Sequence, residues 1–304
     1  MVFKHKIVND LAWVIYSAPL MSSNPREKVY LGLDDQWFKK EVGRCEIFLK
    51  AEDADPSRLA KFVSSQGRQL LGKRFERFVE YWLMFSGKYE VLISNRPVSR
   101  NKITIGEIDY VIRDIFSGEI FHLEVAAKYY LGHNNSRLWS NWKGINAKDT
   151  LEDKMTKFRK QLTIFDREEG VALLDELGLS RPSSLLMMKG FFFYYWRNIK
   201  GAKSPELSLS NHNAGLFLKE SEISEFFKGD NSWALLSKHN WFAPYVSSSS
   251  EELYSEIGIQ AKIRSLLKEY NVEVMLAKLS YENGHFIETL RVAVVLNKWP
   301  NRER

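Results

Sequence analysis

The sequence predicts an α/β (α+β) fold: a central mixed sheet flanked by helices, with a helical extension before it and a further α+β region after it. Three observations carry this reading. Residues 105–114 and 120–131 alternate apolar and polar side chains on either side of a turn, the period of a strand with two unlike faces. Residues 67–85 and 149–165 repeat apolar residues at three- and four-residue spacing, the period of a helix with one buried stripe. Residues 184–196 form a nearly unbroken apolar and aromatic run, which suits a strand covered on both faces.

In chain order, residues 9–17 read as a helix, and residues 37–49 fit a helix or a strand equally. Asp53-Ala54-Asp55-Pro56 is a turn, and Ser57 follows as a candidate cap. The helix over 67–85 sets Leu70, Leu71, Phe75, Phe78, Val79, Trp82 and Leu83 on its apolar stripe. Glu76 and Glu80, four apart, share a face beside that stripe, and Arg68, Lys73, Arg74 and Arg77 make the helix basic. Residues 89–94 are a short strand that ends at Asn95-Arg96-Pro97. Asp114 and Ser117-Gly118 provide the turn between the two alternating strands. A polar loop, 132–148, carries Trp139, Trp142 and Lys143. The helix over 149–165 buries Leu151, Met155, Phe158 and Leu162 and sets Lys154 and Gln161 on one face. After the apolar strand, residues 201–210 form a polar connector. Helices over 220–227 and 250–270 follow, around an irregular aromatic stretch at 233–245. Strands at 272–279 and 287–296 flank Asn283-Gly284, a strong hairpin signal. These changes of pattern divide the chain into an N-terminal helical extension (1–64), a core (65–200) and a C-terminal α+β region ending in a hairpin (201–304).

Composition narrows the possibilities. A chain of 304 residues with 44% hydrophobic content buries a sizeable core. It holds no apolar run of about 18 residues, so no membrane partner is expected. A single cysteine, Cys45, excludes an intrachain disulfide and any multi-cysteine zinc site, and fits a reducing cytoplasm. The formal charge of +6 permits a polyanionic partner without specifying one.

Chemistry concentrates on the two alternating strands. Glu107 and Asp109 share one face of the first, and His122, Glu124, Ala126 and Lys128 share one face of the second. Carboxylates in so apolar a setting need a charged partner or a cation. One reading is a structural ion pair between Asp109 and Lys128. The other is a metal and phosphate site.

At this point the residues resemble the PD-(D/E)XK nuclease superfamily with its restriction-endonuclease-like core: helix, three-stranded meander, helix, strand. Gly106-Glu107-Ile108-Asp109 is similar to the first half of its signature, and Glu76 in Gly72-Lys73-Arg74-Phe75-Glu76 to its accessory helical acid. The chain also resembles a bacterial family of domains of unknown function, family 1853, over residues 72–76, 122–131, 149–161, 189–194, 233–244 and the last hairpin through Trp299-Pro300. The superfamily spaces its second acid and its lysine two apart. Here Glu124 and Lys128 are four apart with Ala126 between, which keeps the face and moves one group about 7 Å along the strand.

The resemblance implies a divalent-metal-dependent nuclease hydrolysing phosphodiester bonds, with DNA the favoured substrate. Asp109, Glu124 and Glu76 would hold Mg2+ or Mn2+, and Lys128 would complete the catalytic set. Lys154, Gln161, Trp142 and Lys143 would contact nucleic acid. The alternatives are a nucleic-acid-binding or assembly module on a degenerate nuclease fold, and a partner-binding protein whose charged cluster is only a buried network.

Overall fold

The structure, a computed structural model, describes residues 2–22, 35–65, 70–229, 231–270 and 272–301. The chain forms two compact units. The first comprises Met1–Lys128, Lys154–Gly190 and Leu207–His212, and the second Tyr129–Asp153, Phe191–Glu206 and Asn213–Arg304. The helices are α1 (Lys6–Tyr16), α2 (Asp35–Ala54), α3 (Ser57–Ser64), α4 (Leu71–Phe85), α5 (Leu151–Leu162), α6 (Glu168–Leu177), α7 (Ile223–Phe226) and α8 (Glu256–Tyr270). The strands are β1 (Tyr89–Arg100), β2 (Ile103–Asp114), β3 (Ile120–Gly132), β4 (Trp142–Gly144), β5 (Ser183–Tyr195), β6 (Ala214–Lys219), β7 (Ser232–Leu235), β8 (Val246–Ser247), β9 (Val274–Glu282) and β10 (His285–Val295). The α/β class, with a large mixed sheet flanked by helices, is what the structure has. No helix of the described residues is long and apolar enough to cross a membrane.

In the first unit, β1, β2 and the start of β3 form an antiparallel meander. The turn joining β2 to β3 is made by Asp114, whose Oδ1 accepts from the Phe116 and Ser117 amides at 2.8 and 3.1 Å. Gly118 takes the positive φ of 74° that this turn needs. β1 runs through the expected break at Asn95-Arg96-Pro97: Asn95 adopts φ 47°, and Pro97 pairs with Glu107. Proline is tolerated because β1 is the edge strand. Its core joins Ile93, Val98, Ile108 and Val111 to Ile164, Phe165, Leu173 and Leu174. α4 buries Phe75, Phe78, Val79, Trp82 and Leu83, most of the stripe read from its spacing. The predicted start of this helix, Gly67 with Arg68, lies outside the described residues. Arg74 of α4 bonds the fully buried Asp10 of α1 at 3.1 Å, so that carboxylate is not left alone in the core. Residues 37–49, ambiguous by pattern, lie within the helix α2.

The second unit holds a mixed sheet. The end of β5 pairs parallel with β6 and β6 parallel with β10, while β10 pairs antiparallel with β9 and β9 with β7. The Asn283-Gly284 hairpin is present, with both residues at positive φ (50° and 84°). α8 packs Ile259, Ile263 and Leu267 against Val274, Leu276, Val292 and Val294. Helix α6 and strands β4, β6, β7 and β8 have no counterpart in the sequence reading. The four strands are too short to show a period, and α6 spans only ten residues.

Candidate functional site

The site forms where β2 and β3 part. Their ladder runs from Arg113↔Ile120 to Tyr110↔Leu123. At the next position the backbones separate, and side chains take over the freed amides. Asp109 Oδ2 accepts from the Val125 amide at 2.9 Å, and Glu124 Oε1 accepts from the Asp109 amide at 3.4 Å. The two carboxyl groups thus cross over between the strands, close enough for each to feel the other. The two acids, read from the sequence on neighbouring strands, are brought together.

Both acids are reluctant to ionise. Burial, reinforced by the neighbouring Glu124 charge, pushes Asp109 up to about 7. Burial pushes Glu124, which has no exposed surface, up to about 8. Glu124 Oε2 is buried and has no hydrogen-bond partner. The ionised pair therefore leaves an unsatisfied buried acceptor, and a proton or a cation removes that deficit.

His122 extends the network on the same face. Ser184 Oγ donates to the Leu162 carbonyl at 2.8 Å, so it accepts from His122 Nδ1 at 3.1 Å. Burial lowers the His122 pKa to about 4, so the ring is neutral and its Nε2 carries no proton. That nitrogen lies 3.0 Å from Glu124 Oε1, and the contact requires the proton to sit on Glu124. The tautomer follows from the network. The edge of the His122 ring packs against Phe165, with centroids 5.0 Å apart at 90°. Ser184 was not anticipated; its only signal is a polar residue at the head of an apolar strand.

α5 supplies the basic side. Thr150 and Asp153 cap its first turn reciprocally: the Asp153 amide donates to Thr150 Oγ1 at 3.0 Å, and the Thr150 amide to Asp153 Oδ2 at 3.2 Å. Lys154, one residue on, lies over the Phe158 ring with Nζ 3.8 Å from the centroid. Burial, with repulsion from Lys128 and Lys157, lowers its pKa to about 8, while Asp109 and Glu124 act to hold its charge. Lys128 is thus near enough to Lys154 to be felt there. Gln161, also buried, donates to the Glu107 carbonyl at 3.4 Å and leaves its own Oε1 without a partner.

Other expected residues have partners of their own. Glu76 bonds Lys73 on its own helix at 2.6 Å, although its charge still raises Asp109. Among the described residues no group of three metal-ligating side chains is assembled. The donor set that remains, two carboxylates with one orphaned oxygen, suits Mg2+, which takes one or two carboxylates and keeps its waters. Trp142, in the second unit, is fully buried, donates its Nε1 to the Ser136 carbonyl at 2.7 Å and packs against Phe192 and Tyr194. The expectation that it contacts nucleic acid is corrected, because its ring is enclosed in the core. Trp139 donates to the Glu206 carbonyl at 2.7 Å. Lys143, half-buried on β4, lines a cleft of the second unit.

No curated protein and no solved structure matches this chain. One family does, over residues 9–295, nearly the whole length: the chain belongs to the family described as domain of unknown function DUF1853.

Proposed function

We propose that this protein is a divalent-metal-dependent nuclease with a PD-(D/E)XK-like site on a restriction-endonuclease-like core, acting on DNA. The observation that supports the reading is the carboxyl pair of Asp109 and Glu124 at the splayed end of a strand ladder, with Glu124 Oε2 buried and unpartnered. A structural ion pair would not leave that oxygen without a donor. Asp109 and Glu124 would hold the ion, and bound Mg2+ or Mn2+ would neutralise charge at the scissile phosphate and acidify a water. Lys154 adds positive charge beside the pair, with Lys128 near enough to be felt at Lys154, where negative charge would develop on the phosphate. The bare Nε2 of His122 faces that carboxyl and the ring stays neutral, because burial holds its pKa near 4.

The second reading is a nucleic-acid-binding module on a nuclease-like fold that has lost activity. It is favoured by the lack of a three-ligand group among the described residues and by the capping role both acids already have. An assay on single- and double-stranded DNA with Mg2+ or Mn2+, against Asp109→Ala, separates the two. Metal-dependent cleavage by the wild type and none by the variant supports the nuclease. Binding without cleavage in any metal supports the module.

A further inference from the structure

We propose that a basic cleft in the second unit binds single-stranded nucleic acid. The cleft measures about 1410 Å3 and is built by four segments: 132–143, 194–203, 217–225 and 299–301. Small-molecule sites usually span roughly 300–1,000 Å3, so this one suits a polymer segment better. Arg137, Lys143, Arg197, Lys200, Lys203 and Lys219 line it, against one carboxylate, Glu225. Arg197 is already held by Glu222 and Glu225, and Arg137 faces Glu206 at 3.5 Å. Among the described residues Lys143, Lys200 and Lys203 have no ion-pair partner. Three unneutralised ammonium groups around one concavity repel each other unless an anion sits among them.

The lining is also aromatic and amide-rich. Tyr195 and Trp196 are half-buried, while Asn134, Asn135, Asn198 and Asn301 are exposed at the rim. Cations that track a backbone, beside rings and amides that meet unstacked bases, are the combination by which single strands are held. The choice of polymer rests on the nuclease reading, but the cleft belongs to a different compact unit from Asp109 and Glu124. The two can therefore fail separately.

The test is fluorescence anisotropy of the full chain with a labelled oligothymidylate, in EDTA so that nothing is cut. Wild type should bind it more tightly than a hairpin duplex of equal nucleotide count, and more weakly as salt rises. Lys200 and Lys203 are exposed, so the double variant Lys200→Gln, Lys203→Gln should fold normally. It should bind about tenfold more weakly and lower the slope of log affinity against log salt by about 1.4, two phosphate contacts' worth on a single strand. Unchanged affinity and slope in the double variant would overturn the inference, as would tighter binding of the duplex. Metal-dependent cleavage in a separate assay with Mg2+ would then leave the nuclease reading standing and remove only the cleft.

Discussion

In the nuclease reading Asp109 and Glu124 carry two tasks at once, and substitutions can separate them. Asparagine at 109 keeps an oxygen for the Val125 amide but removes the carboxylate. Asp109→Asn should therefore hold the fold, abolish cleavage and erase any rise in Tm produced by Mg2+ or Mn2+. Thermal melts with and without the ion check this, and a full metal-induced shift in the variant would rule Asp109 out as a ligand. Lys128 makes the opposite case. It lies near Lys154 and acts, in the nuclease reading, only when negative charge develops. Lys128→Ala should lower the rate on the order of a hundredfold with DNA affinity almost unchanged, as loss of one transition-state donor does. A loss of binding in step with rate would make Lys128 a docking residue instead.

At the scale of elements, the site depends on a close approach between β3 and β5. Gly190 on β5 adopts φ 136°, and a Cβ there would lie 1.7 Å from the Lys128 carbonyl oxygen. No other residue fits without moving one strand. Gly190→Ala should cost on the order of 3 kcal/mol from backbone strain, before any displacement of Lys128 is counted. Chemical denaturation measures the loss, and a variant within 0.5 kcal/mol of wild type, about the effect of an ordinary surface change, would contradict the geometry. The elements themselves were largely legible. Leu71, Phe75, Phe78 and Trp82 mark α4 by their spacing, and Asn283-Gly284 marks the β9–β10 hairpin. β6 and β7 were not legible, because six and four residues show no period and owe their pairing to strands distant in sequence.

The whole molecule registers the site through pH. The ordinary values are 3.8 for Asp109 and 4.5 for Glu124, and the fold raises them to about 7 and about 8. An acid whose pKa is raised on folding favours its protonated form, so folding is most favoured below the unfolded value. That contribution is lost progressively as pH climbs through the folded values. Metal-free protein should thus lose Tm between about pH 4 and pH 8 on account of this pair. His122 acts the other way: its depressed value of about 4 means that stability falls as pH drops below its ordinary 6.5. Because a cation must displace the shared proton, the Mg2+-induced rise in Tm should be larger near pH 8.5 than near pH 6. A metal effect independent of pH would show that the ion binds elsewhere.

Sequence alone determined the mixed α/β class, the meander with its turn at Asp114, and the helices that carry Glu76 and Lys154. These features are local, because side-chain period and turn chemistry are written within a few residues of where they act. The tertiary structure alone decided that the β2–β3 ladder stops at Tyr110↔Leu123, so that two acids must satisfy amides across the gap. It also decided that Ser184 fixes the His122 tautomer, that Glu76 is held by Lys73 and that Trp142 is enclosed. Each of these turns on which distant residue fills the space beside a side chain, and a burial or a proton position depends on that neighbour rather than on the residue's own place in the chain.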